Sequence, residues 1–328
     1  MELGPKEFES HLEAIRPRLG NYHWMWKILR WRARSSGWFP RRIHALLRRL
    51  GNPRRPYFIG TTPAGVSFVG DYRDEYTVGL VVAARHGRGL NWTLSDNKYT
   101  ISLPVTSVHS DPVVSLIIDR LQGTCGAYLD VGTNVGVVAT EVARFLQGRQ
   151  EVIAFEPHPE TVRRAAATFA LNGVKNVRLF AVAIGDVDGE ITFYCPVGFS
   201  DMASAKPVDL GLPLRWVETK VPCYRLDTLA ERGQIPQTGF IKFDVEGHEP
   251  RAVEGALQLI RRDRPAILYE YSYAIAPRLG WTATEVAESI LRAGEYRFHV
   301  LRKDGTFSPF PPPARGGGHV DIFCESMA

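Results

Sequence analysis

Residues 128–145 read YLDVGTNVGVVATEVARF. The first half is an apolar run of strand length, and the second spaces its apolar residues as an amphipathic helix does. Gly132, Asn134 and Gly136 stand between the two halves. Glycine lets a backbone approach a ligand closely and take dihedrals that other residues resist. The free N–H groups of a helix start face the same crevice, and open α/β sheets bind ligands at this end of their strands. The stretch predicts a strand ending near Asp130, a binding turn and a helix.

The same alternation continues on both sides. AYLDVG, EVIAFEP, VRLFAVAI, FIKFDVEG and PAILYEYS are apolar runs of the kind that a doubly covered parallel sheet requires. Helical stretches at 134–147, 159–172 and 249–262 separate most of them. The pattern predicts an α/β fold: a doubly wound, mostly parallel seven-stranded sheet over residues 111–328. FHVLRKDG and HVDIFCES read as a hairpin pair closing one sheet edge, joined by a Pro- and Gly-rich connection.

Residues 57–110 form a β-rich addition, in which YFIGTTPAGVSFVGDY and KYTISLPV read as short strands or hairpins. Residues 1–56 read as helical and basic. They hold 13 Lys/Arg against 4 Asp/Glu, whereas residues 61–328 hold 27 against 31. NYHWMWKILRWRARSSGWF packs four tryptophans among arginines. A helical cap, a membrane-surface or lipid-substrate contact through residues 20–50, or a nucleic-acid contact would each suit it. The mildly acidic body argues against a broad nucleic-acid groove.

The chain has 328 residues with 45% hydrophobic and 23% charged content, which suits a globular protein with a real core. Cys125, Cys195, Cys223 and Cys324 form no CxxC pair and read as reduced thiols. There is no apolar run of spanning length and no secretory pattern at the start. The expected location is cytoplasmic, with peripheral contact at the inner membrane face left open.

The turn and the second strand narrow the ligand. VIAFEP ends in Glu156, and a carboxylate at that strand tip accepts hydrogen bonds from both hydroxyls of a ribose. A dinucleotide site wants G-x-G-x-x-G for its pyrophosphate. Here the spacing is D-x-G-x-N-x-G, and Asp130 would repel a phosphate but suit an amino group. S-adenosylmethionine combines adenosine, a ribose diol and an amino-acid tail. Its expected contacts are Asp130, Gly132, Thr133, Asn134, Val135, Gly136, Glu156, Pro157 and Asp244.

YLDVGTNVG, VIAFEPHPE, LNGVKNVRLFAVAIGDVDGEITFY, LDTLAE and IKFDVEGHEPRAVEGA follow one another in this order. In these blocks, over about residues 112–273, the chain resembles FkbM-type S-adenosylmethionine-dependent methyltransferases. The resemblance implies a class I methyltransferase sheet and methylation of a hydroxyl on a small molecule, sugar or lipid-linked glycan.

FIKFDVEGHE should be the fourth strand and its turn, which crowds Lys242, Asp244, Glu246, His248 and Glu249 at the end of the sheet. Such a density of ionisable groups costs desolvation unless it serves binding or chemistry. His248, with a reference pKa near ~6.5, is the leading candidate base. Glu246 and Asp244 are the alternatives, and Asp244 would also orient the nucleophile or meet the methionyl amine. Lys242 shares a face with Asp244, which suggests a pair. Glu270 and Ser200 are candidate substrate contacts, and His158 reads as a loop residue near the adenosine. No H-x-x-E or H-E-x-x-H spacing supports a metal site, and none is expected, although Asp244, Glu246 and Glu270 could serve as ligands. Other readings are an N-methyltransferase acting on a peptide or nucleic acid, a nicotinamide-dependent dehydrogenase, and a cofactor-binding scaffold without transfer activity. The D/N-P-P-Y/F signature of base amino-methylation is replaced by DVEG.

Overall fold

The computed structural model describes residues 2–20, 54–62, 64–74, 76–77, 80, 91–95, 98–102, 111–209, 214–313 and 318–327. The chain opens with β1 (Glu2–Leu3) and α1 (Pro5–Ile15). Two hairpins follow, β2 (Tyr57–Thr61) with β3 (Ser67–Asp71) and β4 (Asn91–Ser95) with β5 (Lys98–Ser102). Then come α2 (Pro112–Leu121), β6 (Ala127–Val131), α3 (Val137–Leu146), β7 (Val152–Phe155), α4 (Pro159–Leu171) and β8 (Val177–Phe180). A side sheet is made by β9 (Ala183–Ile184), β10 (Gly189–Pro196) and β11 (Trp216–Tyr224). The chain continues through α5 (Leu226–Glu231), β12 (Thr238–Phe243), α6 (Glu249–Glu254), α7 (Leu257–Asp263) and β13 (Ala266–Ser272). It ends with α8 (Ala276–Leu279), α9 (Ala283–Ala293), β14 (Tyr296–Leu301), β15 (Phe307–Pro309) and β16 (His319–Ser326).

The main sheet has the order β1-β8-β7-β6-β12-β13-β16-β14-β15. The strands from β8 to β13 are parallel, while β16 runs antiparallel between β13 and β14. The seven strands expected from the sequence are therefore present, and the sheet extends to nine. The additions are edge strands of two and three residues, β1 and β15, too short to carry a periodic signal. β16 lies inside the sheet rather than at its edge.

Burial on both faces explains the near-continuous apolar strands. Tyr128 and Ala154 pack against α3 and α4, while Leu129, Ile153 and Ile241 pack against α6 and α7. A buried strand must fill both faces with apolar side chains, so alternation disappears.

The N-terminal residues join this body. β1 pairs with β8, and Phe8 of α1 stands 5.2 Å from Phe169 of α4 between ring centroids. The β2–β3 hairpin packs on α4 through Tyr57 and Val69, and the Tyr57 hydroxyl donates to Glu160. The Trp- and Arg-rich stretch falls within residues 21–53, which lie outside the described residues. Among the described residues, no helix is long and apolar enough to cross a membrane.

Candidate active site

Asp130 is the last polar residue of β6 and is 1% exposed. Tyr128 Oη and Thr133 Oγ1 donate to its two oxygens at 3.0 and 2.7 Å, and Lys242 Nζ stands 3.9 Å away. Its carboxylate thus organises the turn. The Gly132 and Thr133 N–H groups both donate to the Phe155 carbonyl at 3.0 Å, which ties the turn to β7. Gly132 (φ 90°), Asn134 (φ 51°) and Gly136 (φ 79°) are left-handed, so the turn needs residues that tolerate that region. Val135 is buried beneath it.

Glu156 follows β7 and is 6% exposed. It accepts from the Asn134 N–H at 3.1 Å and from the His158 N–H at 2.9 Å. Burial pushes its pKa up to about 7, against the lowering effect of those two donors. A carboxylate held out of water with capacity for further donors fits a diol. Beside it, Gly132, Phe155, Pro157, Val182, Ile184 and His248 line an apolar cavity at the strand ends. Apolar walls beside a buried carboxylate have the chemistry that a base and its ribose require. These residues fit S-adenosylmethionine. His158, whose pKa burial lowers to about 4, hydrogen-bonds Thr161 at 3.0 Å at the start of α4.

The second turn follows β12. Lys242 pairs with Asp244 at 2.7 Å, as their shared face predicted. Burial pulls the Lys242 pKa down, but Asp244 and Asp130 outweigh it and raise the group, so the ammonium is retained. Lys242 is thus the cation that faces Asp244 and Asp130. Glu249 Oε1 accepts from the N–H groups of Val245 and Gly247 at 3.0 and 3.3 Å, which holds the turn, and Glu246 is left-handed at φ 53°. A left-handed glutamate is strained, and such residues persist where the surroundings over-determine them, often at functional sites.

Across β13, Glu270 completes a corner. One oxygen each of Asp244, Glu246 and Glu270 lies within 4.8 Å of the others. Burial and the surrounding carboxylates push the Glu270 pKa well above its ordinary value. A trio with that spacing could hold a divalent ion, and these are the three ligands the sequence offered, although no ligand-spacing motif marked them. Register adds two residues that the sequence reading missed. Asp321 of β16 lies opposite Glu270, and His319 Nδ1 stands 3.7 Å from Glu270 Oε2. HVDIF does alternate so that His319 and Asp321 share a face, but only the pairing of β16 with β13 aims that face at the corner.

His248 is not in this corner. It lines the apolar cavity, with Nε2 3.2 Å from where a Cβ on Gly185 would stand. Burial lowers its pKa, and the charges acting on it are Asp186 and Arg251. Ser200 lies on the cofactor side, with Oγ 3.4 Å from Asn134 Oδ1. Its main partner, Asp74, came from a region where no sequence signal marked a site residue.

A glycine turn, a buried carboxylate at the tip of the next strand and this strand order define a class I S-adenosylmethionine-dependent methyltransferase. The family profile described as Methyltransferase FkbM domain matches residues 130–298, just over half of the chain. The chain belongs to the FkbM methyltransferase family, and S-adenosylmethionine is its cofactor. It is 30% identical over 172 residues to the 2-O-methyltransferase NoeI of Sinorhizobium fredii, covering 48% of this chain and 67% of that protein. Among solved structures, the methyltransferase FkbM of Methylobacillus flagellatus aligns at 17% identity and a TM-score of 0.37, over 60% of this chain. This chain spans 43% of the length of that protein. The O-methyltransferase TomG of Streptomyces achromogenes aligns at 11% identity and a TM-score of 0.37, over 68% of this chain and 82% of its own.

Proposed function

We propose that the protein methylates a hydroxyl group on a sugar, another small molecule or a lipid-linked glycan. The observation that carries this reading is the convergence of Asp244, Glu246 and Glu270 beside the cofactor turn. A hydroxyl needs an acceptor for its proton and a fixed approach, and carboxylates at a strand end supply both. Similarity to a 2-O-methyltransferase supports the same reading.

Bound S-adenosylmethionine supplies an electrophilic methyl group. Glu156 binds the ribose, and the apolar cavity excludes water around the base. Asp244, fixed by Lys242, orients the acceptor oxygen. We assign the departing proton to a carboxylate of the corner, Asp244 or Glu246. His248, favoured by its reference pKa, shapes the cofactor cavity instead. A second reading has support in the spacing of the trio: a divalent ion there would bind and acidify the hydroxyl. Nothing in the site favours the N-methyl or nicotinamide alternatives.

The test is transfer of isotope-labelled methyl from S-adenosylmethionine to a panel of glycosides and their deoxy analogues, with the product position read by mass spectrometry. Label on an oxygen, absent when that hydroxyl is removed, supports the reading. Label on amines or nucleic acid alone would overturn it.

A further inference from the structure

Asp74 lies outside the matched family region, just beyond the β2–β3 hairpin, yet it is 5% exposed and bonded to three parts of the molecule. Its Oδ2 pairs with Arg164 NH1 of α4 at 2.8 Å, and Arg164 is itself 4% exposed. The same oxygen accepts from Thr77 Oγ1 at 3.2 Å. Ser200 donates twice, through N–H to Oδ1 at 3.0 Å and through Oγ to Oδ2 at 2.8 Å. A hydroxyl has one proton, and here it goes to the nearer, charged acceptor. The Asn134 Oδ1 lies farther from the same hydroxyl, at 3.4 Å.

Ser200 opens a short segment that touches both site turns. Ser200–Met202 form a single 3-10 turn above Asn134. Ala205 contributes to the lining of the apolar cavity. Ser204 is fixed by exchanged backbone hydrogen bonds with Tyr194 and donates its Oγ to the Glu246 carbonyl at 2.8 Å. The two ends of the segment thus rest on Asn134 and Glu246, the two left-handed non-glycine residues of the two site turns. One end is fixed by backbone bonding within the side sheet. The other has one backbone bond to that sheet, from the Phe199 N–H to the Pro196 carbonyl at 3.1 Å, and takes its side-chain anchor from Asp74.

We propose that Asp74 is a positioning residue for the cofactor. Seated on Arg164, it holds residues 199–205 against the two site turns and sets how tightly, and for how long, S-adenosylmethionine and S-adenosylhomocysteine are retained. The proposal rests on the cofactor assignment and is independent of the acceptor. A contribution from outside the family region ties the N-terminal addition to the catalytic domain's ligand affinity. Arg164 stands close enough for its charge to act on Glu156 and His158, so the anchor and the ribose wall share one helix start.

The test uses the full chain and needs no acceptor. Ser200→Ala removes the hydroxyl contacts while leaving the Asp74–Arg164 pair intact, so it should fold even where Asp74→Asn does not. Calorimetry gives the affinity for S-adenosylhomocysteine, stopped-flow displacement gives its release rate, and amide hydrogen exchange reads residues 199–205. The expected result for Ser200→Ala is weaker binding and faster release by about tenfold, the scale of one hydrogen bond to a charged group. Exchange in the segment should also be faster, the ligand-free protein should melt somewhat lower because a buried carboxylate loses a donor, and retention should be restored in Ser200→Thr. A folded Ser200→Ala protein with wild-type release and exchange would overturn the proposal. Wild-type protein that binds neither compound would instead overturn the cofactor assignment beneath it.

Discussion

Gly132 lies directly against the backbone carbonyl of Asp244: a Cβ on Gly132 would overlap that oxygen. The contact joins the turn after β6 to the turn after β12, and so fixes the cofactor side of the cleft against the acidic corner. Gly132 also has φ 90°, where any side chain is strained. Gly132→Ala should therefore push the two turns apart, with a stability loss on the order of 1–3 kcal/mol and cofactor binding too weak for calorimetry. Wild-type affinity in this variant would mean that the turn does not hold the ligand.

Glu156 gives the ligand-free protein a defined pH dependence. Its folded pKa of about 7 lies above the ordinary carboxylate value because of burial. The folded state then binds more protons than the unfolded chain between the two values, so stability falls as pH rises through that window. The loss from this group is on the order of 3 kcal/mol. Glu249, also pushed up to about 7 by burial, acts with the same sign. Thermal melts from pH 5 to 8 should show a smaller decline in Glu156→Gln than in wild type. Since a diol donates to the carboxylate form, binding should strengthen over the same range and release protons. Calorimetry in buffers of different ionisation enthalpy reads that release, and proton uptake would contradict the assignment.

Lys242 is 8% exposed and faces two carboxylates. Lys242→Met leaves Asp130 buried without its cation, and the expected cost is about 3–5 kcal/mol of unfolding free energy. Adding Asp244→Asn to that variant should recover part of the loss, because one stranded charge is removed. Strict additivity in denaturant titrations would show that the pair is not coupled.

His248 and Asp244 should separate in kinetics. His248→Ala is expected to raise the KM for S-adenosylmethionine several-fold with a modest change in kcat, because it opens the cavity wall. Asp244→Asn should reduce kcat by about 10²–10⁴, the range of a general base. A collapse of kcat in His248→Ala with unaltered cofactor KM would return the base to the histidine.

For the carboxylate trio, dialysis against a chelator followed by magnesium or manganese titration distinguishes the two readings. If an ion is held there, activity falls on chelation and recovers with the ion, and Glu270→Gln shifts the half-saturating concentration upward by tenfold or more. Full activity in the chelator removes the metal reading and leaves the proton with Asp244 or Glu246.

The parts of the fold carried by local pattern were legible in the sequence. β6, its glycine turn and α3 follow from residues 128–145 alone, and Glu156 follows from its place at the tip of the next apolar run. The shared face of Lys242 and Asp244 came from strand periodicity. Long-range placement was not legible. His248 and Glu246 are two residues apart, yet a left-handed Glu246 sends the chain in a direction that no spacing rule gives. Asp74, Arg164, His319 and Asp321 reach the site only through packing of the hairpin on α4 and of β16 on β13. Sequence distance hides contacts of that kind.

The insertion of β16 between β13 and β14 has a consequence for how the molecule comes apart. β14 precedes β16 in sequence but has no sheet neighbour on that side until β16 arrives, so this third of the sheet depends on nonlocal pairing and should be the last to assemble. Partial opening that frees β16 would carry off His319 and Asp321 while β6, β7 and β8 stay paired. Such a form could still grip a nucleoside after losing the far wall of its reaction chamber, and binding assays alone would count it as intact.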